Sequence, residues 1–276
     1  LTLISNHIQK ISGGSGKDEV LLTSSAGNTV ELSGVEVITG GFGSDHLTVT
    51  SNHIQQISGG DGTDEVLLTS GAGNTVLLDG VEFIAGGSGS DHLTVTDDTS
   101  VSIDGGLGSD TLIGGLGNDT LQGGGGDDVF VVDGGEDTFD GGQGHDTVDF
   151  SSSVSGVSVD LSSGTLVDGS GLVDEFTSVE SVIGSDFVDV ITGSSTSEVL
   201  FGGNGSDIIT GGGGTDVIDG GGGDDVLEVD GSFGGTIEGG SGSDSLDLVG
   251  LTNQVLVSGV EVITGGLGSD HLTVTS

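Results

Sequence analysis

The stretch GGLGSDTLIGGLGNDTLQGGGGDDVFV, residues 105–131, decides the fold of this 276-residue chain. It is three nine-residue units set end to end (105–113, 114–122 and 123–131), each a glycine-rich turn written GGxGxD followed by a short apolar stretch. Because the units abut without a gap, the period is internal to the chain and not a scatter of glycines. A fixed short period signals stacked coils that bury their apolar faces against one another, not a globule. The closing aspartates repeat with the same discipline, since Asp128 lies 18 residues after Asp110 and 18 before Asp146.

Each part of the unit has a physical reading. Consecutive glycines permit positive φ and let backbone carbonyls crowd toward a common point, while a carboxylate at the sixth position adds a hard oxygen. Calcium accepts six to eight such oxygens in a forgiving geometry, where magnesium requires a tighter octahedron. The seventh to ninth positions alternate as a strand does, so the eighth faces inward. Those residues are Val20, Leu47, Val66, Leu93, Leu112, Leu121, Phe130, Val148, Ile209, Ile218, Leu227, Leu246 and Leu272. They are the candidate core.

The pattern resembles the repeats-in-toxin (RTX) calcium-binding nonapeptide of the hemolysin-type β-roll family, GGxGxDxUx with U a large apolar residue. That resemblance implies an all-β fold, a right-handed parallel β-roll or β-solenoid with calcium-filled turns. Two nonads make one coil, with a turn over six residues and a strand over three. It also implies export by type I secretion, the chain staying unfolded at low cytosolic calcium and folding outside the cell.

Composition agrees with a cation-dependent chain. There are 60 glycines, no Pro, Cys, Met, Trp or Tyr, and a formal net charge of -42 with Lys10 and Lys17 as the only basic side chains besides histidine. Nucleic acid and anionic membrane surfaces are disfavoured, because phosphate contacts need Lys and Arg. No stretch approaches the roughly 20 apolar residues of a membrane span, and LTLISNHIQK at the start lacks a basic, apolar signal region. Collagen needs a period of three with proline, and flexible linkers lack the regular Val, Leu and Ile seen here. High charge with only 32% hydrophobic residues is typical of disordered chains. The expectation is disorder without calcium and order with it.

One continuous roll segment of a longer protein is expected over 1–276. Residues 1–92 are two near-duplicate units of 46 residues, in which SNHIQKISGGSGKDEVLLTSSAGNTVELSGVEVITGG is answered by SNHIQQISGGDGTDEVLLTSGAGNTVLLDGVEFIAGG. Residues 105–149 form a first array of five nonads, the fourth disguised as VDGGEDTFD with Asp137 and Phe139 in phase. Residues 184–228 form a second array that opens with the degenerate GSDFVDVIT and GSSTSEVLF, and 239–276 return to the duplicated pattern. Between the arrays, 150–183 lack the motif and read as strands and turns inside the same solenoid.

The 18-residue interval extends into the sparse regions as a phase rule. Asp45 to Asp64, Asp91 to Asp110 and Asp225 to Asp244 are each 19 apart, close to one coil, while Asp18 to Asp45 and Asp64 to Asp91 are 27, three half-coils that switch the edge. A triangular coil would also absorb 27 residues. The resulting candidate metal ligands are Asp18, Asp45, Asp64, Asp91, Asp110, Asp119, Asp128, Asp137, Asp146, Asp189, Glu198, Asp207, Asp216, Asp225, Asp244 and Asp270. The expected partners are Asp45 with Asp64, Asp91 with Asp110, Asp110 with Asp128, Asp128 with Asp146, Asp119 with Asp137, Asp189 with Asp207, Asp207 with Asp225, Asp225 with Asp244, and Glu198 with Asp216. Two carboxylates about 5 Å apart repel by roughly 1–3 kcal/mol, a penalty that a shared divalent cation turns into cohesion. Asp97, Asp98, Asp160 and Asp168 read as solvated turn residues outside the matched pairs.

His46, His92 and His271 fill the seventh position of GSDHLTV units, beside the ligand but pointing outward; His7, His53 and His145 read as surface residues. No catalytic set emerges, because a repeated array does not build one singular acid/base pair and calcium ligation would occupy the carboxylates. GGxG is no phosphate loop without a following GK[ST] and helix. Regular TxT ranks of an ice-binding face are missing. The reading is therefore a non-enzymatic, calcium-binding structural segment of a large secreted or cell-surface bacterial protein, such as an adhesin stalk, surface-layer component or self-associating filament. The rival is the calcium-binding C-terminal repeat region of a type I-secreted enzyme or toxin.

Overall fold

The computed structural model describes residues 1–3, 9–230, 233–249, 252–267 and 269–275; His7 lies outside them. The described residues contain strands, turns and bends and no helix, so none is long and apolar enough to cross a membrane. Two compact units are resolved, Leu1–Asp146 and Thr147–Ser276. Each is a parallel β-solenoid in which successive strands are laid alternately into two facing sheets. Two-sided coils, not triangular ones, absorb the 27-residue steps: three strands, one per half-coil, lie between Asp18 and Asp45 (Glu19–Leu22, Thr29–Ser33 and Val37–Phe42) and between Asp64 and Asp91 (Glu65–Leu68, Thr75–Asp79 and Phe83–Ala85). Hence Asp18 leads into one sheet through Glu19–Leu22, and Asp45 and Asp64 into the other through His46–Val49 and Glu65–Leu68.

Register follows the nonad. In the first unit Leu93 stacks on Val76 and Leu112, Leu112 on Phe130, and Leu121 on Phe139. In the second, Ile209 stacks on Ile191 and Leu227, and Ile218 on Leu200 and Ile237. All of these side chains are buried. Phe130 and Phe139 come from opposite sheets and meet at 5.4 Å between ring centroids, tilted by 50°, so one side chain from each sheet fills the core. Complete burial of each such residue is worth about 1.5–3 kcal/mol. Every expected eighth-position residue is buried except Leu272, which is only partly covered in the strand His271–Val274.

Close stacking of coils explains the second glycine of the motif. Gly124 holds φ at +104°, and a Cβ there would run into the carbonyl of Gly106 one coil back, itself at +102°. Glycine lies directly on glycine, which no L side chain would permit.

The segment 150–183 forms strands and turns within the sheet, but not all of them run parallel. Strand Ser158–Asp160 pairs antiparallel with Thr165–Val167, which pairs antiparallel with Val173–Thr177. The cause lies in the turns. Asp160 accepts the peptide N–H groups of Ser162 and Ser163, and Asp168 those of Ser170 and Leu172, closing hairpins at Gly164 and Gly171 that are too short to carry a parallel crossover. Ser158–Asp160 then pairs in parallel with Val190–Thr192 and the solenoid resumes.

Candidate metal sites: a ladder of carboxylates

The sixth residue of each nonad sits at the last turn position before a strand, where the chain re-enters the sheet. Its peptide N–H is not used by the sheet and donates instead to the carboxylate one coil on. In the first unit these bonds run from Asp45 to Asp64 Oδ1 and Asp91 to Asp110 Oδ1 (2.7 Å each), and from Asp110 to Asp128, Asp119 to Asp137 and Asp128 to Asp146 (2.8 Å each). In the second they run from Asp189 to Asp207 (2.9 Å), Glu198 to Asp216 (3.0 Å), Asp207 to Asp225 (2.8 Å) and Asp225 to Asp244 (2.9 Å). The structure thus brings together all nine pairs expected from spacing.

One oxygen of each rung is satisfied and the other often is not. Oδ2 of Asp45, Asp64, Asp91, Asp110, Asp119, Asp128, Asp207, Asp216, Asp225 and Asp244, with Oε2 of Glu198, is buried without a hydrogen-bond partner. A buried, ionised oxygen left in that state is costly. It points to where the first glycine of its own nonad lacks a side chain. The place a Cβ would take on Gly105 lies 2.5 Å from Asp110 Oδ2 and 2.8 Å from the carbonyl oxygen of Gly123 on the next coil; for Gly202 the same distances are 2.6 Å to Asp207 Oδ2 and 2.5 Å to Gly220 O. Carboxylate and carbonyl oxygens therefore converge on a spot kept open by glycine.

Burial pushes these carboxyls up against the pull of the peptide hydrogen bonds, with neighbouring rungs adding like charge. Asp45 and Asp110 rise to about 6, and Asp207 and Asp216 to about 7. Asp64, Asp91, Asp119, Asp128 and Asp225 move in the same direction for the same first cause. A row of carboxylates that resists ionisation unless compensated is a cation site in electrostatic terms. Among the described residues no three His, Cys, Asp or Glu side chains gather as a metal cage. The donors are paired carboxylates and backbone carbonyls, an all-oxygen set that suits calcium and not a thiolate- or imidazole-seeking metal. Bound calcium would supply positive charge between rungs, held by the carboxylates and glycine carbonyls.

The remaining residues lie outside the nine pairs. Asp18 is only partly buried and accepts the Gly14 peptide N–H at 2.7 Å; Asp270, also partly buried, accepts the Asn253 side-chain amide at 2.9 Å. Asn28 and Asn74 extend the ladder backwards, each donating backbone and side-chain N–H groups to Oδ1 of Asp45 and Asp91. Their signal was the repeated AGNTV. Asp97 and Asp133 stand at the second position of the nonads 96–104 and 132–140, accepting the peptide N–H of Gly80 (2.5 Å) and Gly115 (2.8 Å), and burial pushes Asp133 up to about 6. Asp97 is thus a half-buried acceptor and Asp168 is 3% exposed in its hairpin turn, neither a simple solvated residue. Asp98 is exposed as expected. His46 points outward to Glu65 at 2.7 Å, and His53, His92, His145 and His271 are exposed.

The RTX calcium-binding nonapeptide repeat family (4 copies) matches residues 104–139, 113–148 and 192–227, the two dense arrays. No curated protein matches the chain. The chain carries RTX calcium-binding nonapeptide repeats in a β-solenoid.

Proposed function

We propose that this β-solenoid is a calcium-dependent structural segment of a large secreted or cell-surface bacterial protein, of the adhesin-stalk, surface-layer or extracellular-filament kind, without catalytic activity of its own. The observation that carries the reading is the row of buried, unpartnered carboxylate oxygens facing glycine carbonyls from coil to coil. In water the ladder would scatter its charge; folded, it needs a cation wherever a rung keeps an unpartnered oxygen. With a formal net charge of -42, the chain lacks the means to neutralise itself from its own side chains. Folding is therefore coupled to calcium, which is scarce in the cytosol and abundant outside, and secretion of an unfolded chain follows from the same chemistry.

The ladder also argues for a structural role. Its carboxylates are near-copies of one another, whereas acid/base catalysis needs two groups in contrasting environments. Circular dichroism and sedimentation with calcium titrated against a chelator test the proposal. Loss of β-signal and an expanded chain on chelation are expected, with full recovery on adding calcium back. Unchanged β-structure after complete calcium removal would sink the folding switch, and concentration-dependent long species with calcium would mark self-association.

A further inference from the structure

Three turns outside the nonad arrays reproduce the ladder with a different residue. The segments Ser33-Gly34-Val35-Glu36, Asp79-Gly80-Val81-Glu82 and Ser258-Gly259-Val260-Glu261 each follow a strand and replace the glycine-rich loop by a single Gly-Val-Glu. Their glycines adopt one conformation, φ +58°, +57° and +60°. Each glutamate then accepts the peptide N–H of the aspartate one coil back: Asp18 to Glu36 Oε2 at 2.7 Å, Asp64 to Glu82 Oε2 at 2.6 Å, and Asp244 to Glu261 Oε2 at 2.7 Å. These are the bonds that aspartate accepts within the arrays, there at 2.8–3.0 Å. The turn is shorter, so its last residue starts farther back, and the extra methylene of glutamate restores the reach.

The backbone half of the site is reproduced too. Around the missing side chain of Gly59 the nearest atoms are the carbonyl oxygen of Gly80 and Asp64 Oδ2, the pairing seen around Gly86 with Gly105 O and Asp91 Oδ2. Around Gly13 they include Gly34 O and Asp18 Oδ2, and around Gly239 they include Gly259 O with the Asp244 side chain. Asp64 is fully buried and Asp244 is 1% exposed, and each leaves Oδ2 without a partner beside the Gly-Val-Glu turn. Val35 and Val81, both buried, plug the space beneath their turns.

We propose that the Gly-Val-Glu turns are calcium sites in their own right: Glu36, Glu82 and Glu261 are metal ligands, each sharing an ion with Asp18, Asp64 or Asp244. Carboxylate, buried aspartate oxygen and glycine carbonyl are the donors that calcium takes, and it tolerates the longer side chain because its coordination is flexible. The proposal rests on the calcium reading of the ladder and extends it to turns without the nonad consensus.

The test counts calcium ions bound per chain by equilibrium dialysis on the full chain, with circular dichroism at saturating calcium as the check on folding. Glu→Gln keeps an oxygen to accept the aspartate N–H and removes the charge; Glu82→Gln is expected to lower the count by one ion, and the triple variant Glu36→Gln, Glu82→Gln, Glu261→Gln by three. Glu82→Asp keeps the charge and shortens the reach, so it is also expected to lose an ion. An unchanged count in both Glu82 variants, while Asp128→Asn lowers it, overturns the proposal and leaves the calcium ladder standing. A wild-type chain that retains no calcium overturns both. Should the triple variant fail to fold, the two single variants decide.

Discussion

The two nonad arrays, 105–149 in the first unit and 184–228 in the second, build the same rung from different surroundings. In the first, Asp110, Asp119 and Asp128 follow intact glycine pairs, and each keeps a buried oxygen without a partner. In the second, the opening nonad has Ser185 in place of the second glycine. Ser185 donates its peptide N–H to Asp189 Oδ2 at 2.6 Å, and its hydroxyl lies 2.8 and 3.1 Å from the two carboxylate oxygens. In the next nonad, Ser194 and Thr196 both give hydroxyls to Glu198 Oε1. Glu198 nevertheless keeps Oε2 buried without a partner, as Asp207, Asp216 and Asp225 keep an oxygen behind their glycine pairs. At Asp189, then, the serine fills both carboxylate oxygens, whereas a glycine at that position offers no side-chain donor and leaves one oxygen for a cation.

The largest expected effect removes the cation from both arrays and replaces it by protons. Burial raises Asp45 and Asp110 to about 6 and Asp207 and Asp216 to about 7, from an ordinary 3.8. A carboxyl whose folded value is raised contributes stability that is fully present below the ordinary value and is lost as pH rises through the folded one. In chelator, β-structure measured by circular dichroism should thus be absent near pH 8 and appear on acidification, chiefly between about 7 and 4. With calcium present the order should persist at pH 8. A calcium-free chain whose signal does not change between these pH values would break the electrostatic account of the ladder.

A smaller effect separates the two kinds of rung. Asp128→Asn removes a buried charge that only a cation compensates, so it should stabilise the calcium-free chain at neutral pH while weakening calcium binding. Asp189→Asn disrupts hydrogen bonds that Ser185 already supplies, and should cost about 1–3 kcal/mol with or without calcium. Denaturant titrations at limiting calcium, where the chain is folded but its sites are not all filled, and at saturating calcium measure both. Opposite signs at limiting calcium are the expected result; a loss of equal size for both variants would mean that serine and glycine surroundings do not differ in their need for metal.

Much of this was legible from spacing, because a solenoid turns sequence distance into spatial register. The disguised unit VDGGEDTFD kept its phase, and Asp137 stands on Asp119 as the interval required. Steps of 27 resolved into an added half-coil because the strands Thr29–Ser33 and Val37–Phe42 alternate as the core demands. What escaped were contacts whose residues do not share the nonad's identity. Glu36 and Glu82 were visible only as part of a recurring GVE string, and nothing in their spacing announced that a longer side chain from a shorter turn reaches the same peptide. The hairpins of 150–183 escaped for another reason: the alternating Val and Ser of SVSGVSVD specify a strand, but its direction is set by turn length and by caps such as Asp160.

The smallest expected effect lies on the outer faces, at the seventh position. The first array places Thr111, Thr120, Thr138 and Thr147 there, with Val129 the exception; the second places Val190, Val199, Ile208, Val217 and Val226. Threonine and valine share a β-branch and nearly the same shape, so both suit the pleated surface, and the arrays differ in outer polarity far more than in backbone preference. Ile208, 45% exposed between Val190 and Val226 in its sheet, touches water over much of its surface. Ile208→Thr and the reverse exchange Thr138→Val, at an exposed position paired with Thr120, should each change stability by less than about 0.5 kcal/mol in calcium-saturated denaturant titrations. A loss above about 1 kcal/mol at Ile208 alone would show that its row of branched side chains packs as a second apolar layer, and that the arrays differ in how they are held together as well as in how they meet the metal.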